Sequence, residues 1–108
     1  MAKGDFVGEF ELYVLLAISQ LKGEAYGVTI REHIDERTGR EVAVGAIYAT
    51  LGRLHDKGLV TFTLSEPEPV QGGRTRKYVA LTPAGQRALA HSSAMMLRMI
   101  GARPGTRR

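Results

Sequence analysis

Groups able to do covalent or metal chemistry are sparse in this chain: three histidines, His33, His55 and His91, and no cysteine. The histidines are widely separated and have no acidic or cysteine partners at zinc-ligand spacing, so they read as surface residues and no metal site is expected. His55-Asp56 is the dipeptide of some metal hydrolases, yet the further ligands that chemistry needs have no match here. Nor is Gly52 to Lys57-Gly58 a phosphate-cradling loop, since in that motif glycine precedes the lysine and Ser or Thr follows it. With no nucleophile and base in register, neither an enzyme nor a cofactor is expected. Charge and shape are more telling. Arg74, Arg76 and Lys77 follow Gly72-Gly73, and cations grouped in this way suit a polyanion, because they displace its counterions whatever its sequence. A second group is defined by missing bulk. At about 100° per residue, Gly45, Ala49, Gly52 and Asp56 share one side of a helix whose opposite side carries Ile47, Leu51 and Leu54.

One small domain has to position these residues. A length of 108 residues fits a single core and excludes a two-domain enzyme. With 44% hydrophobic and 24% charged residues the chain belongs among globular proteins rather than disordered tails. Without cysteine the fold holds by packing alone, as suits a cytoplasmic protein. The longest apolar run, Val14 to Ile18, is far short of the roughly 20 residues of a membrane span. Glu9 and Glu11 interrupt the stretch that a secretory signal would keep free of acids. No membrane partner is expected. The formal charge of +4 favours a polyanion such as nucleic acid without proving one.

From Phe6 to Leu21 apolar residues cover most of a helix circumference, so this first helix is expected to be buried on two sides. One side meets its own domain; the other meets a partner subunit or a distant helix of the same chain. Gly23 ends it, and a second helix built on Tyr26, Ile30 and Ile34 closes at Thr38-Gly39. Arg40 to Val44 reads as a turn or a brief strand. The third helix, carrying the bare side, runs to Lys57-Gly58. Val60, Phe62 and Leu64 then alternate with Thr61 and Thr63 as a strand, Ser65 to Gly73 forms a polar tip, and Arg74 to Leu81 returns. Val79 and Leu81 point inward on the return, while Arg74, Arg76 and Tyr78 share the other face. Thr82-Pro83 starts a last helix, because the threonine hydroxyl caps an orphan amide and proline presets the first helical φ. Residues 1–101 form one domain, and 102–108 are expected to be a disordered basic tail.

The order is mainly α with a small β-hairpin, α-α-β-α-β-β-α, which is a winged helix-turn-helix. A helix about 10–12 Å across fits the major groove of DNA while the hairpin reaches adjoining backbone, provided the groove side of the helix lacks bulk. Gly45, Ala46, Ala49 and Gly52 meet that condition; their alternative use is close helix packing. Three blocks carry a resemblance: Gly45-Ala46-Ile47-Tyr48-Ala49-Thr50-Leu51-Gly52-Arg53-Leu54, Lys57-Gly58-Leu59-Val60, and Gly73 to Gly85 with its Arg-Lys-Tyr and Leu-Thr-x-x-Gly elements. With Ala25-Tyr26-Gly27 before them, the sequence resembles the PadR family of bacterial transcriptional regulators over most of its length. The resemblance implies a homodimeric repressor that binds a palindromic operator in double-stranded DNA through its third helix and wing. Its first and last helices would make the dimer. Such regulators commonly respond to small aromatic or hydrophobic effectors near the dimer interface.

DNA contacts are accordingly expected from Gly45, Ala46, Tyr48, Ala49, Thr50 and Arg53 on the helix and from Gly73, Arg74, Arg76 and Lys77 on the wing. Tyr48 has an alternative in packing against the second helix, and Arg53, near the inner margin, in pairing with an acid. Glu66 and Glu68 at the wing tip favour grazing contact over deep insertion. The dimer interface is expected to use Phe10, Tyr13, Val14 and Ala17 with Leu89, Met95, Met96 and Met99. The methionines read first as dimer core and second as a pliable effector pocket. The competing function is a winged helix that binds another protein and no operator.

Overall fold

In the computed structural model, which describes residues 7–65 and 76–101, three of the four helices begin where a side chain caps the first turn. α1 spans Glu9–Leu21, α2 Gly27–Thr38 and α3 Val44–Asp56; strands β1 (Val60–Leu64) and β2 (Lys77–Leu81) follow, then α4 (Pro83–Ile100). At α1 the Glu11 carboxylate accepts from the Gly8 N–H at 3.0 Å, and at α2 the Thr29 hydroxyl accepts from the Tyr26 N–H at 3.0 Å. At α4 the Thr82 hydroxyl accepts from the Gly85 N–H at 3.0 Å, with Pro83 in the first turn. These bonds hold amides at helix starts that the helices themselves leave unpaired. Phe6, the wing tip with Gly73 and Arg74, and the 102–108 tail lie outside the described residues.

The strands pair antiparallel, with Val60 opposite Leu81 and Phe62 opposite Val79. Val60 and Val79 are buried, whereas Leu64 is 67% exposed, so the inward alternation expected through Leu64 stops at Phe62. The short strand expected at Arg40 to Val44 is not formed: residues 39–43 are irregular and α3 begins at Val44. An extended segment becomes a strand only beside a neighbour that completes its ladder. The outer edge of β2 is already engaged at the α1–α2 connection, where the Val79 N–H donates to the Ala25 carbonyl at 2.9 Å. The observed order is therefore α-α-α-β-β-α.

Leu15, Ile30, Ile47, Leu51, Leu54 and Leu59 form the centre of the core, each fully buried. At about 1.5–3 kcal/mol per buried large apolar side chain, this cluster dominates the stabilising side of the fold. One glycine marks where two backbones meet. A Cβ at Gly85 would land on the Leu59 carbonyl oxygen. The same corner is held by the Thr82 N–H donating to Leu59 O at 3.0 Å and the Thr82 hydroxyl donating to Gly58 O at 2.7 Å. The Leu-Thr-x-x-Gly block thus seats the first turn of α4 on the entry to β1.

α1 is buried on two sides as expected, and the second side is met by a distant helix of the same chain, α4. Val14 is 0% and Ala17 1% exposed within the single chain, so neither has surface to offer a second subunit. Their expected place in a dimer interface is corrected: α2, α3, β2 and α4 all pack on α1 and cover that side from within the protomer.

Candidate nucleic-acid interface

α3 divides sharply by face. Ile47, Leu51 and Leu54 are at most 1% exposed, while Gly45, Ala46, Ala49 and Gly52 lie on the surface. Nothing stands within 4 Å of where a Cβ would sit at Gly45 or Gly52. The apolar ridge anchors the helix, and the opposite side is a smooth surface of glycine and alanine up to Asp56 in its last turn. Among the described residues, no helix packs closely on this face, the alternative reading for these glycines and alanines.

Thr50 does not belong to that surface. It is 1% exposed, and its hydroxyl accepts from the Arg53 guanidinium Nη2 at 3.0 Å. Its expected role as a DNA contact is corrected, because its helical position between Arg53 and Leu54 turns it inward. Tyr48 packs against the start of α2 and still keeps exposed surface. Its ring lies over Gly27, where a Cβ would come within 2.5 Å of the ring and hydroxyl, yet the residue remains 42% exposed. Glycine at the start of α2 is what makes room for it.

Arg53 and Lys57 converge on one carboxylate. Lys57 Nζ lies 3.0 Å from Glu11 Oε1, and Arg53 Nε 3.6 Å from Glu11 Oε2. Glu11 is 8% exposed. Burial pushes its carboxyl up, but hydrogen bonds from Lys57 and Gly8 and the charges of Lys57 and Arg53 outweigh that effect and hold it below the ordinary value. The side chain of Arg53 stays 57% exposed at the rim of the bare face. Sequence reasoning assigned Glu11 no site role; its signal was an acid set between Phe10 and Leu12 in an otherwise apolar helix.

The wing root is tied to the helices by rings and cations. The Arg76 guanidinium sits 5.1 Å from the centre of the Tyr26 ring, and the Tyr26 and Tyr78 rings meet edge to face at 5.4 Å. Lys77 Nζ lies 4.4 Å above Phe62, whose other neighbour is the His55 ring at 5.2 Å. Such contacts are each worth about 0.5–1 kcal/mol at exposed sites, enough to bias where the cations point. They connect Arg76 to the start of α2 and Lys77 to the end of α3. Tyr26 and Phe62 are therefore parts of the site that sequence reasoning treated only as pattern.

Of the remaining residues expected at a dimer interface, Phe10, Tyr13 and Leu89 are half-buried, with Arg40 stacked 5.0 Å from the Phe10 ring. Met95, Met96 and Met99 are 40%, 45% and 84% exposed. They line a cleft of about 300 Å³ with Val7, Leu12 and His91 between the start of α1 and α4. Among the described residues no group of three His, Cys, Asp or Glu could hold a metal ion, and no helix is long and apolar enough to cross a membrane.

Residues 14–91 match the model of the transcriptional regulator PadR-like family. No curated protein matches the chain. Among solved structures, a PadR family transcription regulator from Clostridium difficile is 28% identical with a TM-score of 0.71, covering 86% of this chain and 91% of that one. The hsRosR-S4 complex, of RosR from H. salinarum, is 27% identical with a TM-score of 0.69, covering 92% of this chain and 78% of that one. A PadR-like transcriptional regulator from Bacillus cereus is 27% identical with a TM-score of 0.67, covering 84% and 82% respectively. The matched stretch runs from within α1 into the first half of α4 and takes in the bare helix face, Arg53 and Lys57, and the wing root, while Glu11 lies before it. The chain accordingly belongs to the PadR-like family of transcriptional regulators, winged-helix proteins that bind DNA.

Proposed function

We propose that the chain works as a cytoplasmic homodimer that sets two α3 helices into successive major grooves of a palindromic operator and represses transcription there. The observation that carries this reading is the outward face of α3, where Gly45, Ala46, Ala49 and Gly52 are exposed and unobstructed. Backbone amides and the flanking Tyr48 and Arg53 can then come within reach of base edges and phosphates. Arg76 and Lys77 at the wing root supply phosphate contacts, joined by Gly73 and Arg74 of the tip. The second copy docks on the exposed Met95, Met96, Leu97, Met99 and Ile100 of α4, an apolar group broken in sequence by Arg98 and of the kind that marks a protein-binding surface. Half-buried Leu89, earlier on α4, and Phe10 and Tyr13 on α1, beside Arg40, offer further apolar surface to the second copy. A small aromatic or hydrophobic effector entering the cleft between the start of α1 and α4 would displace the paired helices and release the operator.

Selection from a random duplex library tests this directly. Enrichment of inverted repeats with half-sites about 10 base pairs apart is the expected result. Affinity should fall steeply with salt, and Arg76→Ala with Lys77→Ala should lower the slope of log affinity against log salt by roughly one for each phosphate left unneutralised. An unchanged slope overturns the role of the wing root. Absence of any enriched duplex would favour a protein-binding winged helix instead.

A further inference from the structure

We propose that Glu11, on α1 and away from the bare face, is a positioning residue for DNA recognition: it holds the Arg53 guanidinium at the rim of α3 in the orientation that meets a phosphate. The inference rests on the DNA-binding reading above and adds to it a residue with no surface of its own. Three observations converge. Glu11 is nearly buried, at 8% exposed, so its carboxylate is a fixed point rather than a mobile surface charge. It is itself oriented through one oxygen, Oε1, which accepts from the Gly8 N–H at 3.0 Å and from Lys57 Nζ at 3.0 Å and leaves Oε2 to Arg53. Arg53 is then held at two atoms, Nε toward Glu11 Oε2 at 3.6 Å and Nη2 donating to Thr50 Oγ1 at 3.0 Å, while its side chain stays 57% exposed.

An arginine held on its inner edge presents the rest of its planar fork outward with little rotamer freedom left to lose. Preorganisation of that kind raises affinity by reducing the ordering cost of binding. Lys57, just beyond the end of α3, takes the other carboxylate oxygen, so the same glutamate also fixes the pitch of the helix against α1. Charge alone argues the opposite effect. A carboxylate near a polyanion site repels DNA, and deleting it should strengthen binding. The sign of the change therefore separates positioning from simple electrostatics.

The test is a double-mutant cycle on the duplex recovered by selection, with the folded fraction of each variant set by circular dichroism. Glu11→Gln is expected to weaken binding by roughly five- to tenfold despite the gain of one positive charge. In an Arg53→Ala background the same substitution should change affinity by less than about twofold, because the group it positions is gone. Binding that is unchanged or tighter in Glu11→Gln, or an equal loss in both backgrounds, overturns the proposal while leaving the DNA-binding reading intact. Failure of the unsubstituted protein to bind any duplex overturns that reading instead. If Glu11→Gln does not fold, Thr50→Val carries the test: it removes the second hold on Arg53 without altering charge. A weakening in the same direction supports the proposal, and unchanged affinity overturns it.

Discussion

α1 and α4 are both rich in apolar residues, and the protomer treats them in opposite ways. In α1, Leu12, Val14, Leu15, Ala17 and Ile18 are all buried by the chain itself. In α4 only Gly85 and Ala88 are buried, while Met95, Met96, Leu97, Met99 and Ile100 remain open. A hydrophobic circumference thus does not by itself identify a subunit interface. It shows only that more than one neighbour is needed, and in α1 those neighbours are α2, α3, β2 and α4. The helix that lacks cover is the later one, whose first turns are seated on the hairpin and whose far end has no further element of the described chain to pack on it.

The comparison can be broken most directly at Leu15. Leu15→Ala should cost about 2–5 kcal/mol of unfolding free energy in a urea titration, as for other fully buried leucines; a loss of less than about 1 kcal/mol would mean that α1 is not core. The converse substitution is Met96→Lys with Met99→Lys. It should weaken self-association by about 2–4 kcal/mol in sedimentation equilibrium, as expected for central apolar contacts, and leave the helical circular dichroism unchanged. Loss of helix instead would place these methionines in the protomer core. Next is the corner that seats α4. Gly85→Ala drives a methyl group into the Leu59 carbonyl and should cost about 1–3 kcal/mol in thermal or chemical unfolding.

Glu11 sharpens the contrast from the α1 side, through pH. Its folded pKa is lowered relative to the unfolded value near 4.5, so its contribution is present above that value and is lost as pH falls through the folded one. Stability of the unsubstituted protein should therefore drop more steeply below about pH 4.5 than that of Glu11→Gln, measured by denaturant midpoints across pH. Equal slopes would show that the buried pair contributes nothing. The smallest effect is expected at the surface pair on the same helix, where Glu9 and Arg40 lie 4.0 Å apart with side chains 67% and 48% exposed. Glu9→Gln should change stability by less than about 1 kcal/mol, because water screens such pairs.

Much of the fold was legible because its signals are local. Helical spacing in α3, strand alternation at Val60 and Phe62, and the Thr82-Pro83 cap each act over a few residues. The bare face of α3 was legible for the same reason, as a matter of angle along one helix. Thr50 was legible by that angle too and was misassigned, since its place beside Leu54 points inward. The brief strand at Arg40 to Val44 was misread because pairing depends on which edge is free, and Ala25 holds the edge of β2. Gly27 and Gly85 figure in the sequence only within the blocks that carry the family resemblance; their necessity comes from the Tyr48 ring and the Leu59 carbonyl, which local pattern does not bring near.

The amino-acid order by itself determined the four helices and the hairpin, the smooth side of α3 and the cationic character of the wing root, because periodicity, capping and charge are properties of neighbours along the chain. Only the tertiary structure decided that Val14 and Ala17 face inward, that α4 carries the open apolar surface, and that Glu11 meets Arg53 and Lys57 across more than forty positions of sequence. Burial and ion pairing depend on what lies opposite a side chain, and that is set when separate helices pack together.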